Sequence, residues 1–515
     1  MKTKLLFFLT FFSTINIFSQ SPSIQWQKAY GGSEYDQAKD IRQTSDGGYI
    51  IVGDTQSNDG DVTGHHAYND IWVIKLSSNG SLQWQKAFGG SGSEEAYTIR
   101  QTSDGGYIIG GWTGSTDGDI TDKRYYGFDF WVIKISSIGE IQWQKTFGGN
   151  NYEYVEDIHQ TTDGGYIVAG WTSSFDGDIT DSDVDGDVNG WIIKLNNTGN
   201  VEWQKTYGGT NSDYLQSIQQ TPDGGYIAAG WTYSNDGDVT ENKGNNDYWV
   251  LKLDNTGSIQ WQKTYGGTGS DIAYSIERTS DGGYIVGGNT ESNNGDVTGS
   301  KGGMDYWVLK ISSNGTTEWQ KTLGGSSYDE MHKIHQTTDG EYILTGRSFS
   351  TNGDVTGNHG GADFWVVKLN SLGTIKWKKT LGGSQYDQSY CLQQTNDGGY
   401  IVAGWTASTD GDTTNSNYHG SADVWVVKLA ADNLDVQDLS KNKSFTLYPN
   451  PTADILYLQS AKKIDKIILT DLSGKKILEE THDFTKINLQ SLQKGTYLIQ
   501  IISEGKTTIE KVIKK

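Results

Sequence analysis

Apolar residues in this chain come in short bursts separated by Gly-, Asp- and Ser-rich turns, and the bursts recur in a fixed order. The first complete set reads QAKDIRQT, a SDGG turn, YIIVGDT, a long polar stretch, DIWVIKL, a SSNG turn, then SLQWQKAF. Asp-Gly-Gly between two apolar runs signals a hairpin, because Gly supplies the positive φ of a tight turn. YIIV and WVIKL are nearly continuous apolar runs, as in strands covered on both faces. IQWQK alternates, as in a strand with one face in water. Each set therefore predicts four short antiparallel strands.

The set occurs seven times. The Trp of IQWQK falls at Trp26, Trp84, Trp143, Trp203, Trp261, Trp319 and Trp377, with spacings of 58, 59, 60, 58, 58 and 58. The Trp of WVIKL falls at Trp72, Trp131, Trp191, Trp249, Trp307, Trp365 and Trp425. Four-stranded units of this length repeated radially predict an all-β fold, a seven-bladed β-propeller. The series opens with a lone IQWQK strand, residues 23–30, and closes with WVVKL at 425–429. That split predicts that the N-terminal strand is the outer strand of the last blade, closing the ring and hiding a strand edge.

Composition agrees with this pattern and narrows it. Gly (67) is abundant, Pro (4) scarce, and Trp (18) and Tyr (29) frequent, which suits tight turns and β-strands. The one cysteine, Cys391, excludes an internal disulfide framework and a thiolate metal cluster. A formal charge of −22 is the opposite of a nucleic-acid footprint. Residues 1–20, MKTKLLFFLTFFSTINIFSQ, read as a signal peptide, with Lys2 and Lys4 ahead of an apolar run too short and polar for a membrane span. No later segment reads as a span. The expected organisation is a signal at 1–20, the propeller at 21–430, a linker at 431–443 and a tail at 444–515.

Three acidic series recur with the repeat. One lies four residues past each GG: Asp36, Glu94, Glu153, Asp213, Asp271, Asp329 and Asp387. A second is the DGD pair: Asp59 and Asp61, Asp117 and Asp119, Asp176 and Asp178, Asp236 and Asp238, Asp410 and Asp412, with Asn294–Asp296 and Asn352–Asp354 as variants. The third precedes the blade Trp by two: Asp70, Asp129, Asp247, Asp305, Asp363 and Asp423, with Asn189 as the exception. In an up-and-down blade all three emerge on one rim, that of the long loops. Clustered Asp oxygens around a Gly turn suit calcium, which takes six to eight oxygen ligands. The alternative is that these side chains accept backbone N–H bonds and hold the turns. Recurrence once per blade fits both.

A further position holds Trp in four blades only, Trp112, Trp171, Trp231 and Trp405, and Asp54, Asn289 or Arg347 in the others. Exposed, these rings would stack on sugars; buried, they are core. The long-loop tips vary most: GHHAYN, DKRYYGF, DSDVDGDVN, GSKGGM and NSNYHGSA. They carry His65, His66, His359 and His419. No G-x-S-x-G or H-E-x-x-H motif is present, and no His recurs with a Ser or Cys partner. A carboxylate pair of glycosidase type is the one catalytic arrangement this acidic face leaves open, and no residue is singled out for it.

From residue 444 the Trp and GG signatures stop. The tail opens FTLYPNPTADILYL, continues KIILTDLSGKKIL and ends INLQSLQKGTYLIQIISEGKTTIEKVIKK, short alternating strands that predict a small β-sandwich. Tyr448-Pro449-Asn450-Pro451, the turn from Asp471 to Lys475, and LQKGTYLIQI with Gly495 and Tyr497 resemble the type A C-terminal sorting domain of the type IX secretion system. That resemblance implies passage to the periplasm, handling by the secretion machinery through residues 444–515, and release or attachment at the cell surface. The repeats also resemble bacterial β-propeller repeat families of no assigned activity. Together these predict an exported or surface-attached propeller that binds or adheres, with polysaccharide as the expected ligand. The alternatives are an extracellular polysaccharide lyase or hydrolase on the same face, or a structural matrix protein.

Overall fold

The structure, a computed structural model, describes residues 20–180, 187–414, 416, 418–432, 445–460, 463–471, 475–482, 484–503 and 506–515. Nearly all of the expected signal peptide and linker, and the first six residues of the DSDVDGDVN loop, lie outside these residues. Apart from one turn of 3-10 helix, Gly411–Thr413, every regular element described is a strand. The chain divides into two compact units, Met1–Asn433 and Leu434–Lys515.

The first unit contains seven four-stranded antiparallel sheets. The first sheet runs Asp36–Gln43, Tyr49–Thr55, Asp70–Leu76 and Leu82–Phe88, neighbours in sequence order. The next five repeat this plan. In the seventh, Asp387–Gln394, Tyr400–Thr406 and Asp423–Leu429 are completed by Ile24–Tyr30, which pairs antiparallel with Asp423–Leu429. Tyr49–Thr55 and Asp70–Leu76 are buried throughout, as their apolar runs predict, while Leu82–Phe88 grades along its length from exposed Leu82 and Gln83 to buried Phe88 rather than alternating by face. The cores lie between sheets. One apolar cluster joins Ile50, Val52 and Val73 of the first sheet to Ile99, Ile109 and Ile133 of the second. Another joins Ile41, Ile51 and Ile74 of the first sheet to Cys391, Ile401 and Val426 of the seventh.

Each DGG hairpin uses its first Gly at positive φ, +80° at Gly47, and is capped by a buried lysine. Lys75 Nζ donates to Asp46 Oδ2 (2.9 Å) and to the Leu76 carbonyl (3.1 Å). Despite some burial, hydrogen bonds from Thr44 and Lys75 pull the Asp46 carboxyl down to about 2. In the sixth sheet the same lysine, Lys368, lies 3.3, 3.4 and 3.2 Å from Asp339, Glu341 and Asp432. Among the described residues those three acids are the one group spaced to hold a metal ion, and the ammonium already stands among them.

The first strand of every sheet contains a β-bulge at the same place. In the first sheet Ala38 faces Gly53 and Asp40 faces Val52, leaving Lys39 unpaired. The unpaired residues elsewhere are Tyr97, Glu156, Gln216, Tyr274, His332 and Tyr390. A bulge bends its strand and re-aims the extra side chain. It also dictates the glycine opposite: a Cβ on Gly53 would lie 1.9 Å from the Gln37 carbonyl oxygen, and one on Gly230 1.8 Å from that of Tyr214.

The second unit has two sheets. One joins Phe445–Tyr448, Ile455–Ser460 and Lys486–Asn488; the other joins Lys476–Glu480, Lys466–Thr470, Gly495–Ser503 and Lys506–Lys514. Leu456 and Ile487 of the first and Ile467, Ile499 and Val512 of the second share one apolar core.

Candidate functional site

All seven bulge residues, one from each sheet, line a single cavity of about 310 Å³. Three positions of the strand hold across the copies, the acid three residues before the bulge, the Ile or Leu two residues after it and the Gln or Arg four residues after it, while the positions between them vary. At the bulge itself the copies read Lys, Tyr, Glu, Gln, Tyr, His and Tyr. What sets the bulge apart from its equally variable neighbours is that all seven of its side chains reach one place.

The wall is largely aromatic. Tyr97, Trp231, Tyr274, His332 and Tyr390 face the cavity. Behind them the rings continue without a break: Phe128 to Trp112 (4.5 Å), Trp112 to Tyr154 (5.3 Å), Tyr154 stacked on Trp171 (4.4 Å), and Tyr214 stacked on Trp231 (4.7 Å). This places the four variable tryptophans. Trp231 lines the cavity, and Trp171 donates from Nε1 to Glu156 Oε1 (3.2 Å). Trp112 is buried beside Phe128, and Trp405 lies against Tyr35 at 5.6 Å. Nε1 of Trp112 and of Trp405 is buried without a hydrogen-bond partner.

The polar groups are held in place by one another. Lys39 Nζ lies 4.1 Å from the Tyr390 ring centroid. Gln37 Nε2 donates to Asp54 Oδ1 (2.8 Å), and Arg347 pairs with Glu330 (2.6 Å). Burial pushes the Glu156 carboxyl up to about 8 and that of Asp54 to about 7, so both hold protons near neutrality. Burial, with the charges of Arg347 and Lys39, drives His332 down to about 3, leaving a neutral imidazole. Toward the DGG end, Arg100 bridges Asp40 and Asp157 (2.8 Å to the latter), with His159 3.2 Å from Asp157. These groups can offer ring faces, donors and acceptors to a small polar ligand.

The three acidic series do come together, away from the cavity, at the junctions between sheets. The first acid of each DGD is exposed and accepts the N–H of the residue after GG: Ser33 to Asp59 (2.7 Å), Ser91 to Asp117 (2.7 Å), Asn150 to Asp176 (2.9 Å), Thr210 to Asp236 (2.8 Å), Ser384 to Asp410 (2.7 Å). Asn294 and Asn352 accept the same bond, at 2.9 and 2.8 Å. The second acid accepts the N–H of the first GG glycine: Gly31 to Asp61 (3.4 Å), Gly89 to Asp119 (3.1 Å), Gly148 to Asp178 (3.2 Å), Gly208 to Asp238 (3.2 Å), Gly266 to Asp296 (3.1 Å), Gly324 to Asp354 (3.3 Å), Gly382 to Asp412 (3.4 Å).

That same glycine lies between the other two series. A Cβ on Gly266 would meet Asp247 Oδ1 at 2.3 Å and Asp271 Oδ2 at 2.7 Å. Both carboxyls are buried, and one oxygen each of Asp70, Asp247, Asp305, Asp363 and Asp423 has no hydrogen-bond partner. In the second sheet Lys123 Nζ occupies this place, 3.1 Å from Asp129 Oδ1. Burial raises the Asp129 carboxyl to about 7 and those of Asp247 and Asp423 to about 6. The loop histidines join the third series: His66, His359 and His419 lie 2.8, 2.7 and 2.9 Å from Asp70, Asp363 and Asp423.

Sequence reasoning set the acids and tryptophans apart but passed over the bulge residues. No residue pattern marked them, because the neighbouring positions of the strand vary as much.

Comparison with known proteins assigns the tail. Residues 446–515 match the family model of the secretion system C-terminal sorting domain, the tail of type IX secretion cargo. The tail implies handling by that machinery and export to the cell surface or the extracellular space. No helix among the described residues is long and apolar enough to cross a membrane. No curated protein matches the chain. Among solved structures, the extracellular domain of a hybrid two-component system from B. thetaiotaomicron is similar at 10% identity and TM-score 0.42, over 96% of this chain and 60% of that one. The chain thus spans about 60% of that structure's length. BBS1N, in complex with ARL6DN, is similar at 9% identity and TM-score 0.43, over 82% and 100% of the two chains. PorZ of Porphyromonas gingivalis, a surface component of its type IX secretion system, is similar at 9% identity and TM-score 0.20, over 93% and 81%.

Proposed function

We propose that this protein is an exported sugar-binding β-propeller whose ligand site is the cavity on the ring axis. In this reading residues 21–430 form one closed ring of seven blades, 431–443 link it to the tail, and 444–515 address it for secretion. The packing of the first sheet on the seventh and the pairing of Ile24–Tyr30 with Asp423–Leu429 support the closed ring.

One observation carries the binding role. Seven unlike side chains, one from the bulge of each sheet, meet in one aromatic-walled cavity. Small-ligand sites are concave, mostly apolar and carry a few convergent polar groups, from roughly 300 Å³ upward. At 310 Å³ the cavity takes one or two sugar units rather than a long chain. The faces of Trp231, Tyr274 and Tyr390 suit the apolar side of a pyranose, and Glu156, Gln216 and Lys39 its hydroxyls.

The test is binding of a mono- and disaccharide panel to the full chain by calorimetry, with Trp231→Ala beside it. A bound sugar is expected to lose at least tenfold in affinity in the variant, since an aromatic stacking contact is worth about 0.5–1.5 kcal/mol beyond the area it buries. Equal affinity in both proteins would remove the cavity as the site. An enzyme is the second reading, supported by Glu156, a carboxyl protonated near neutrality inside the cavity; product analysis on the same panel decides it. For the DGD acids we propose the turn role, because Asn294 and Asn352 make the same bond as their Asp counterparts.

A further inference from the structure

The protein as a whole carries a formal charge of −22, yet this cavity is cationic. Four cationic side chains line it, Lys39, Arg42, Arg100 and Lys333, against the acids Asp40, Glu156 and Asp157. Glu156, pushed up to about 8 by burial, is mostly uncharged at pH 7. The two remaining carboxylates are already engaged. Asp40 is 3.2 Å from Arg42 and also pairs with Arg100; Asp157 is 2.8 Å from Arg100 and 3.2 Å from His159.

One accessible donor is left over. No ion pair or hydrogen bond within 4 Å reaches Lys333 Nζ among the described residues; Asp157 and Glu277 act on it only from farther away. Glu277 is itself committed to His335, at 3.0 Å, and to the Gln336 N–H. Arg100 Nε also lacks a hydrogen-bond partner, but it is closed off from the cavity space. Desolvation in the cavity and then the neighbouring Arg42 lower the Lys333 pKa, because its ammonium stands among like charges. A neutral ligand leaves that arrangement uncompensated, and a cationic one worsens it. An anion seated there relieves it, and in a low-dielectric cavity the attraction is stronger than at an exposed lysine.

We propose that the sugar this cavity binds is anionic, with its carboxylate or sulfate ester against Lys333 Nζ and its ring against Trp231, Tyr274 and Tyr390. This names the ligand class of the site proposed above and rests on that reading.

The experiment is calorimetric titration of the full chain with three matched disaccharides, one ending in a uronic acid, one in a 6-sulfated sugar and one in the neutral parent. It is run at low and high salt, with wild type, Lys333→Gln, Lys333→Arg and Trp231→Ala. At least one anionic disaccharide is expected to bind about tenfold tighter than the neutral one, the worth of one hydrogen bond to a charged group. That preference shrinks in high salt, disappears in Lys333→Gln and survives in Lys333→Arg. Which of the two anionic sugars is preferred separates a planar carboxylate from a tetrahedral sulfate. Equal binding of all three, or a preference untouched by Lys333→Gln, overturns the proposal while leaving the cavity as the sugar site. Binding of none, or binding indifferent to Trp231→Ala, overturns both. Should Lys333→Gln fail to fold, the wild-type preference and its salt dependence decide the matter alone.

Discussion

At the level of single residues, the acids dominate this molecule, and their roles divide by burial. The exposed DGD acids hold backbone N–H groups, and asparagine serves in two of seven copies. The buried acids lie against the Cα of a glycine, which is why the GG pair is constant: a side chain there would strike two carboxyls. The chemistry of calcium is the competing account of these acids, and the melting temperature of the full chain separates the two. A ligand bound only to the folded state stabilises it by about 2.7 kcal/mol at a hundredfold excess over Kd. The same melting temperature is expected in excess calcium as in EDTA. A clear rise in calcium would make the unpartnered oxygens of Asp247, Asp305 and their counterparts metal ligands.

At the level of elements, the bulge is the device by which a structural repeat gives the proposed site its seven unlike side chains. Without it residue 39 and its counterparts would alternate into the sheet like their neighbours. Gly230→Ala places a methyl where the Tyr214 carbonyl now sits, so the bulge in that blade must shift. We expect a loss of about 1–3 kcal/mol, in the range of overpacked interiors, together with loss of sugar binding. Ala substitution at Gly105 in a DGG turn, where φ is +83° and a Cβ meets nothing within 4 Å, should cost stability alone. The N-terminal strand makes a second prediction. Deleting Ile24–Tyr30 strips Asp423–Leu429 of a partner and uncovers a sheet edge. Hydrogen exchange should then quicken at Asp423–Leu429 well before it quickens in the third sheet. Uniform protection across all seven sheets would show that the strand adds nothing to the last one.

At the level of the whole molecule, the repeat multiplies small electrostatic effects. Twelve junction acids sit above their ordinary values because of burial, with Asp129 at about 7 and Asp247, Asp387 and Asp423 at about 6. Such groups bind their protons more tightly in the fold than in the unfolded chain. Their contribution is complete below the unfolded value, near 4, and is lost as pH climbs through 6 to 7. The DGG-turn acids act oppositely: Asp46, Asp104, Asp163, Asp223 and Asp281, held at about 2, contribute fully above 4 and lose it only as pH falls toward 2. Stability should peak near pH 5, with a melting temperature several degrees lower at pH 8. A melting temperature as high at pH 8 as at pH 5 would mean that the junction acids are ionised in the fold.

Much of this was legible in the chain. Hairpins follow from Asp-Gly-Gly at fixed places, buried strands from YIIV and WVIKL, and the secretion tail from an ordered set of residues near 448, 471 and 495. These are local facts, set by φ, by alternation and by spacing, and seven repetitions made each of them audible. The buried lysines of WVIKL were not legible, since only the folded hairpin shows Lys75 reaching the turn acid beyond its own strand. Nor were the roles of the acids, which depend on a carboxyl from one sheet meeting a glycine at the start of the next. The cavity was least legible of all. Lys39, Glu156 and Lys333 are far apart in sequence, and a bulge leaves no residue signature of its own; only the meeting of seven sheets brings their side chains to one place.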